Sequence, residues 1–149
     1  MDVDVEKLGE AIIDGLNTYT EQVSSEISKA VKECTDRAHE EITELSPVRK
    51  RVPKSGVIMV KRGGVKVPAK ENLQPGAYKK GWITVVRNYE NRTQGYARNK
   101  ANYHIAHLLE LGHKARNGSP VAAIEHIRKG QDDARAELDK RIKEILEKE

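Results

Sequence analysis

Residues 5–45 read VEKLGEAIIDGLNTYTEQVSSEISKAVKECTDRAHEEITEL. Apolar side chains recur there at Val5, Leu8, Ile12, Leu16, Tyr19, Val23, Ile27, Val31, Cys34, Ala38, Ile42 and Leu45, always three or four residues apart. The mean step is about 3.6 residues, the period of a straight amphipathic helix. Gly9 and Gly15 weaken only its first turns. Ser46-Pro47 ends it, because the residue before a proline is pushed out of the α region. At ~1.5 Å per residue, a helix of about 40 residues is roughly 60 Å long. That exceeds the width of a small domain, so part of the helix must protrude or pack on another subunit.

The whole chain has 149 residues, which fits one domain with one core. Hydrophobic residues make up 37% and charged residues 34%, with no Phe, one Trp and five Tyr, so the core must be thin and the surface large. A chain of this kind gains from partners that cover it. The formal net charge of +4 conceals three blocks: 12 acids and 4 bases in residues 1–45, 4 acids and 18 bases in 46–131, and 7 acids and 5 bases in 132–149. The acidic block and the basic block can complement each other between neighbouring copies, or the basic block can face a polyanion such as DNA. Composition does not choose between these. Cys34, the single cysteine, falls on the apolar stripe, which excludes a disulfide scaffold and predicts a buried thiol. The acidic start Met1-Asp2-Val3-Asp4 has no leader pattern, and no apolar run approaches the roughly 18 residues a membrane span needs. The expectation is a soluble chain that is cytoplasmic at synthesis.

Beyond Pro47 the chain is rich in breakers: Pro53, Pro68 and Pro75, with Gly56, Gly63, Gly64 and Gly76. Between them Val57–Val60 and Val65–Val67 read as strands joined by a Gly63-Gly64 turn. Tyr78–Gly81 suits a helical turn, and Trp82–Val86 is β-branched enough to be a central strand. Asn88–Gln94 reads as a turn, and Gly95–Asn99 as the returning antiparallel strand. Asn102 is placed to cap a helix over Tyr103–Leu111 that Gly112 stops, with Ile105, Leu108 and Leu109 facing inward. Lys114–Pro120 reads as a basic loop. Val121–Ile124 and Ile127 read as extended, and a second amphipathic helix starts at Gln131 on Ala134, Leu138, Ile142 and Ile145. The fold class is therefore α+β: a long N-terminal helix, a small mostly antiparallel sheet with a basic hairpin, a short central helix and a C-terminal helix.

Possible metal ligands crowd together only in Tyr103–His113. His104, His107 and Glu110, spaced by three, share a rough helical face that a divalent ion could use. The order is not the zincin one, which needs histidines four apart with a glutamate directly after the first. The preferred reading is structural: His107 and His113 bond to backbone or to Glu110 at the helix end, where a charged histidine suits the dipole. No Gly-Xaa-Ser-Xaa-Gly elbow, phosphate loop or Cys-Xaa-Xaa-Cys pair is present, so neither a catalytic constellation nor a cofactor site is expected. Trp82 is read as a core or interface anchor in preference to a base-stacking platform beside Lys79 and Lys80.

Asn102-Tyr103-His104-Ile105-Ala106-His107-Leu108-Leu109-Glu110-Leu111-Gly112-His113, then a basic loop and His126-Ile127-Arg128, resembles the neck or tail-completion family of tailed bacteriophages typified by gene product ten of phage HK ninety-seven. Leu45-Ser46-Pro47-Val48 and Tyr78-Lys79-Lys80-Gly81-Trp82 extend the likeness over about residues 40–130. The chain departs from that pattern in Val121–Glu125 and Lys129-Gly130, and in the extra basic hairpin. The resemblance implies a non-enzymatic virion protein of the head-to-tail connector, a ring of identical subunits joining tail to DNA-filled head. It assigns structural roles to Tyr103, His107, Leu108, Leu109, Glu110, Gly112, His113, His126 and Ile127. Contacts to a partner or to passing DNA would come from Arg49, Lys50, Arg51, Lys61, Arg62, Lys114 and Arg116. The competing readings are a DNA-binding module using the basic middle segment, and a metal-dependent hydrolase using His104, His107 and Glu110.

Overall fold

The 3.6-residue period produces a single unbroken helix, α1, over Val5–Leu45. The structure is a computed structural model that describes residues 5–48, 53–90 and 92–148, with Val5, Glu6 and Asn72 described by backbone alone. Arg49, Lys50 and Arg51 therefore lie outside the described residues. The helix closes where the Ser46 hydroxyl donates back to the Ile42 carbonyl at 2.6 Å, ahead of Pro47. Strands β1 (Met59–Arg62) and β2 (Val65–Pro68) then form the expected hairpin, with Arg62 opposite Val65. Gly63 and Gly64 both take positive φ, 57° and 84°, as a two-residue turn of this hand requires. Val57, expected within the strand, lies just before it. The Gln74 side chain ties the hairpin down, accepting from Ile58 N at 2.8 Å and donating to the carbonyls of Ile58 and Ala69.

A 3-10 turn (Glu71–Leu73) and the short helix α2 (Ala77–Lys80) lead into strands β3 (Trp82–Tyr89) and β4 (Arg92–Asn99). The pairing runs unbroken from Trp82↔Asn99 to Tyr89↔Arg92. This corrects two expectations. Residues 88, 89 and 92–94, expected in a turn, are paired in the strands, where Arg87 and Arg92 lie over the Tyr96 and Tyr89 rings and hold the polar end in register. Nor is β3 a central strand: among the described residues it pairs with β4 alone.

Helix α3 spans Tyr103–Leu111 as expected, and Gly112 ends it at φ 74°. A Cβ there would also strike the Val121 carbonyl at 2.7 Å, so the position requires glycine for space as well as for φ. Asn102 precedes the helix but gives no side-chain cap; instead its own N–H is taken by the Asn99 side chain at 2.8 Å. The predicted loop after α3 contains a two-residue ladder, β5 (His113–Lys114) on β6 (Pro120–Val121). The last helix, α4, spans Ile127–Leu146, starting four residues before the expected Gln131.

Helix α1 is the spine. The β3–β4 ribbon lies on one side of it, with Ser28 bonded to Thr93 at 2.7 Å and His39 to the Trp82 carbonyl at 3.1 Å. Beside the ribbon α4 runs antiparallel along α1, Gly130 meeting Ile42 at one end and Arg141 pairing with Glu33 at the other. Ile42, Tyr78 and Trp82 form the buried centre, with Ala38, Ala97, Ile105, Ala106, Leu109 and Ile127 packed against it. Leu108, expected inward, is half-buried like Ile105, Ala106 and Leu109, but Ala106 and not Leu108 packs on this centre. Cys34 is buried at 4% exposure, as its place on the stripe predicted. Between α4 and β4 the layers fail to close, leaving a groove of about 630 Å³ lined by Val31, Cys34, Ala38, Ala97, Ala134 and Leu138.

The ribbon reaches α1 only because residue 95 has no side chain: a Cβ on Gly95 would overlap the Thr35 hydroxyl, which is itself fixed to the Val31 carbonyl. Gly95→Ala should cost about 2–3 kcal/mol by overpacking. Thr35→Ala in the same chain should recover most of the loss, and denaturant midpoints of the four members of that cycle would measure it.

Candidate functional site

The residues that carry the chain's distinctive motif meet at the junction of α3, α4 and α2. Helix α4 begins with backbone N–H groups that its own cap residue, His126, leaves without a side-chain acceptor. Glu110, near the end of α3, supplies that acceptor from sixteen residues away. Its Oε2 receives His126 N at 2.9 Å and Ile127 N at 3.0 Å, and its Oε1 receives Arg128 N at 2.9 Å. Burial pushes the Glu110 carboxyl toward protonation, but the three N–H donors outweigh it and hold the group below the ordinary glutamate range. The early start of α4 thus has a physical cause: a carboxylate at a helix N-terminus satisfies orphan donors and suits the dipole.

His126 is the most deeply buried large side chain, at 0% exposure. Its Nδ1 faces two acceptors, the Ile124 carbonyl at 2.7 Å and Glu110 Oε2 at 3.1 Å, so Nδ1 carries the hydrogen. Its Nε2 lies 2.8 Å from the Tyr78 hydroxyl. Burial, and secondarily the Glu110 charge, push the Tyr78 phenol up to about 12, so Tyr78 is the donor in that bond. Tyr78, Trp82 and His126 stack edge to face at centroid distances of 5.6–6.1 Å. Trp82 donates Nε1 to Ser46 Oγ at 2.8 Å, and Asn99 donates to the Tyr78 carbonyl at 2.7 Å, tying in α1 and β4. The anchor role expected of Trp82 is what the structure has.

Of the motif residues, Leu109, Glu110, His126 and Ile127 converge on this junction, while Gly112 lies against the backbone of residues 121–123 and Leu108 is half-buried. His113 bonds its ring to the Leu108 carbonyl at 3.2 Å, the expected type of contact. His107 is exposed and makes neither expected bond, and Tyr103 is 71% exposed on the outer face of α3. The metal arrangement fails on geometry: Glu110 turns away to α4, and no cluster of three or more metal-ligating side chains exists among the described residues. The role of Glu110 as a cap for a distant helix escaped sequence reasoning. A signal was present, since His126-Ile127-Arg128 opens a helix without a Ser, Thr, Asp or Asn to cap it.

Two surfaces lie away from the junction. Lys61, Arg62 and Lys66 are exposed on the β1–β2 hairpin, and Lys114 and Arg116 are exposed beyond α3. At the other extreme, every residue of α1 from 7 to 22 is exposed. No helix among the described residues is long and apolar enough to cross a membrane. No family model, curated protein or solved structure matches the chain.

Proposed function

We propose that the chain is a non-enzymatic structural subunit of the head-to-tail connector of a tailed bacteriophage, working in a homo-oligomeric ring that joins the tail to a DNA-filled head. The observation that carries the assembly part is area. The chain exposes 11889 Å² of accessible surface, whereas a compact monomer of its 16.7 kDa would expose about 7,600 Å². The difference is several times the roughly 800 Å² each partner contributes to a standard interface. A subunit with a neighbour on each side and rings above and below uses area in that way. The phage part rests on the resemblance over residues 40–130 alone; of its most specific run, Leu108–His113, Leu109 and Glu110 reach the buried junction and Leu111 is 78% exposed. The segregation of acidic α1 from the basic middle block adds complementary faces for copies arranged head to tail.

Particles made without the protein should contain filled heads and finished tails that remain unjoined, and mass spectrometry should find the chain in complete virions. Normal joining in its absence would overturn the reading.

One observation favours contact with DNA as a second reading. In the hairpin register Lys61 lies directly opposite Lys66, with Arg62 next along the strand. Like charges directly opposite one another destabilise a hairpin, so this pairing serves something outside the fold. Lys61→Gln with Lys66→Gln should make the hairpin slightly more stable while lowering the slope of log affinity against log salt for duplex DNA by about 2. Anisotropy titrations across salt would check this. An unchanged slope would leave an acidic protein neighbour as the hairpin's partner.

A further inference from the structure

We infer that the projecting half of α1, from Leu8 to Val23, is a self-assembly surface that packs against the same segment of other copies of this chain. Helix α4 has 20 residues against the 41 of α1, so it covers about half the length of the spine. Its last cross-links to α1 are Arg141–Glu33 and Arg37–Glu137. Upstream of them Leu8, Ile12, Ile13, Leu16 and Tyr19 are 50%, 54%, 58%, 61% and 49% exposed.

At about 100° per residue, Leu8, Ile12, Leu16, Tyr19 and Val23 fall within an arc of about 80°. Ala30 and Cys34, buried at 5% and 4% in the body of the protein, fall in the same arc. One seam therefore runs the length of α1, covered by an amphipathic helix downstream and left exposed upstream among the described residues. The acids Glu10, Asp14 and Glu21 gather in a strip of about 40° on the opposite side. The flanks between seam and strip are uncharged within this segment: Ala11, Gly15, Thr18 and Gln22 on one side, Gly9, Ile13, Asn17 and Thr20 on the other. A Cβ at Gly9 or Gly15 would meet nothing within 4 Å, so no intrachain crowding requires glycine, while each costs the helix about 1 kcal/mol against alanine. Close approach of another helix supplies the missing reason.

The occupant follows from the charge arrangement. A basic partner would seat on the acids, but they point away from the seam. Copies of the segment instead match aliphatic to aliphatic without bringing like charges face to face. The four exposed side chains of the seam, Leu8, Ile12, Leu16 and Tyr19, present roughly 400 Å², within the range of the largest patch on a monomer. With the uncharged flanks, helices in contact along this length approach the roughly 800 Å² per partner of a specific interface.

The inference rests on the oligomeric part of the proposed function and names the surface that serves it. Leu16→Cys in the full chain, oxidised under copper-phenanthroline, should give disulfide-linked dimers. Asp14→Cys, on the acidic strip, should not, and buried Cys34 stays out of both reactions. Leu16→Asp should lower the mass measured by light scattering while leaving the unfolding transition of the body unchanged, because residue 16 touches none of the core. If Leu16→Cys fails to cross-link and Leu16→Asp keeps the parent mass, the surface is wrong and the ring stands on another one. If the parent chain is a monomer at every concentration, both the surface and the ring fall.

Discussion

Glu110→Gln is expected to lower the stability of the fold by about 3 kcal/mol near neutral pH, the loss of a charged acceptor at a partly buried helix N-terminus. The carboxylate accepts three backbone N–H bonds and faces the His126 ring. Glutamine keeps the shape but replaces one acceptor oxygen with an NH2 that points donors at donors. The pH dependence has a definite sign. A carboxyl held below its ordinary value in the folded state contributes fully above that ordinary value, 4.5, and loses the contribution as pH falls through the depressed folded value. The gap in urea midpoint between parent and variant should thus be constant from pH 8 to 5 and close only in more acid solution. A gap below about 1 kcal/mol, the net worth of one ordinary hydrogen bond, would mean that Glu110 is not what starts α4.

His126→Ala should be the most damaging single change, at about 4 kcal/mol, because it combines a cavity with orphaned polar groups. The ring is completely buried, and its removal strips the Tyr78 hydroxyl of its acceptor and the Ile124 carbonyl of its donor. His126→Phe separates the two effects: it refills most of the volume, so its cost of about 2 kcal/mol is that of the unpaired groups. Both changes should alter the fluorescence of Trp82, whose ring lies 6.1 Å from that of His126. Because Glu110 and His126 touch, the double variant should cost less than the two single losses added together. Strict additivity would show that the two act independently and that the junction is not a unit.

What could be read from neighbouring residues was read correctly. The three-four spacing from Val5 to Leu45, the Gly63-Gly64 turn, and the α3 helix closed by Gly112 all follow from local period or local φ, and each is present. Errors fall where a remote group intervenes. Helix α4 starts at Ile127 because Glu110 caps it from another helix. Polar residues 88, 89 and 92–94 continue a ribbon because arginines lie over tyrosines across the strands. Asn102 was assigned a capping role that its own side chain does not perform. The motif gives Glu110 and His126 structural roles, but only the folded chain shows that they touch.

By itself the sequence determined the long helix, the basic hairpin, the burial of Cys34 and the surplus of surface, since period, turn chemistry and composition act over a few residues or over the chain as a whole. Only the tertiary structure decided that Glu110, Tyr78, Trp82 and His126 form one buried junction, and that α4 stops halfway along α1. The reason is physical: hydrogen bonds across sixteen or forty-eight residues and the relative lengths of two packed helices depend on where the chain returns in space. No local pattern encodes that return.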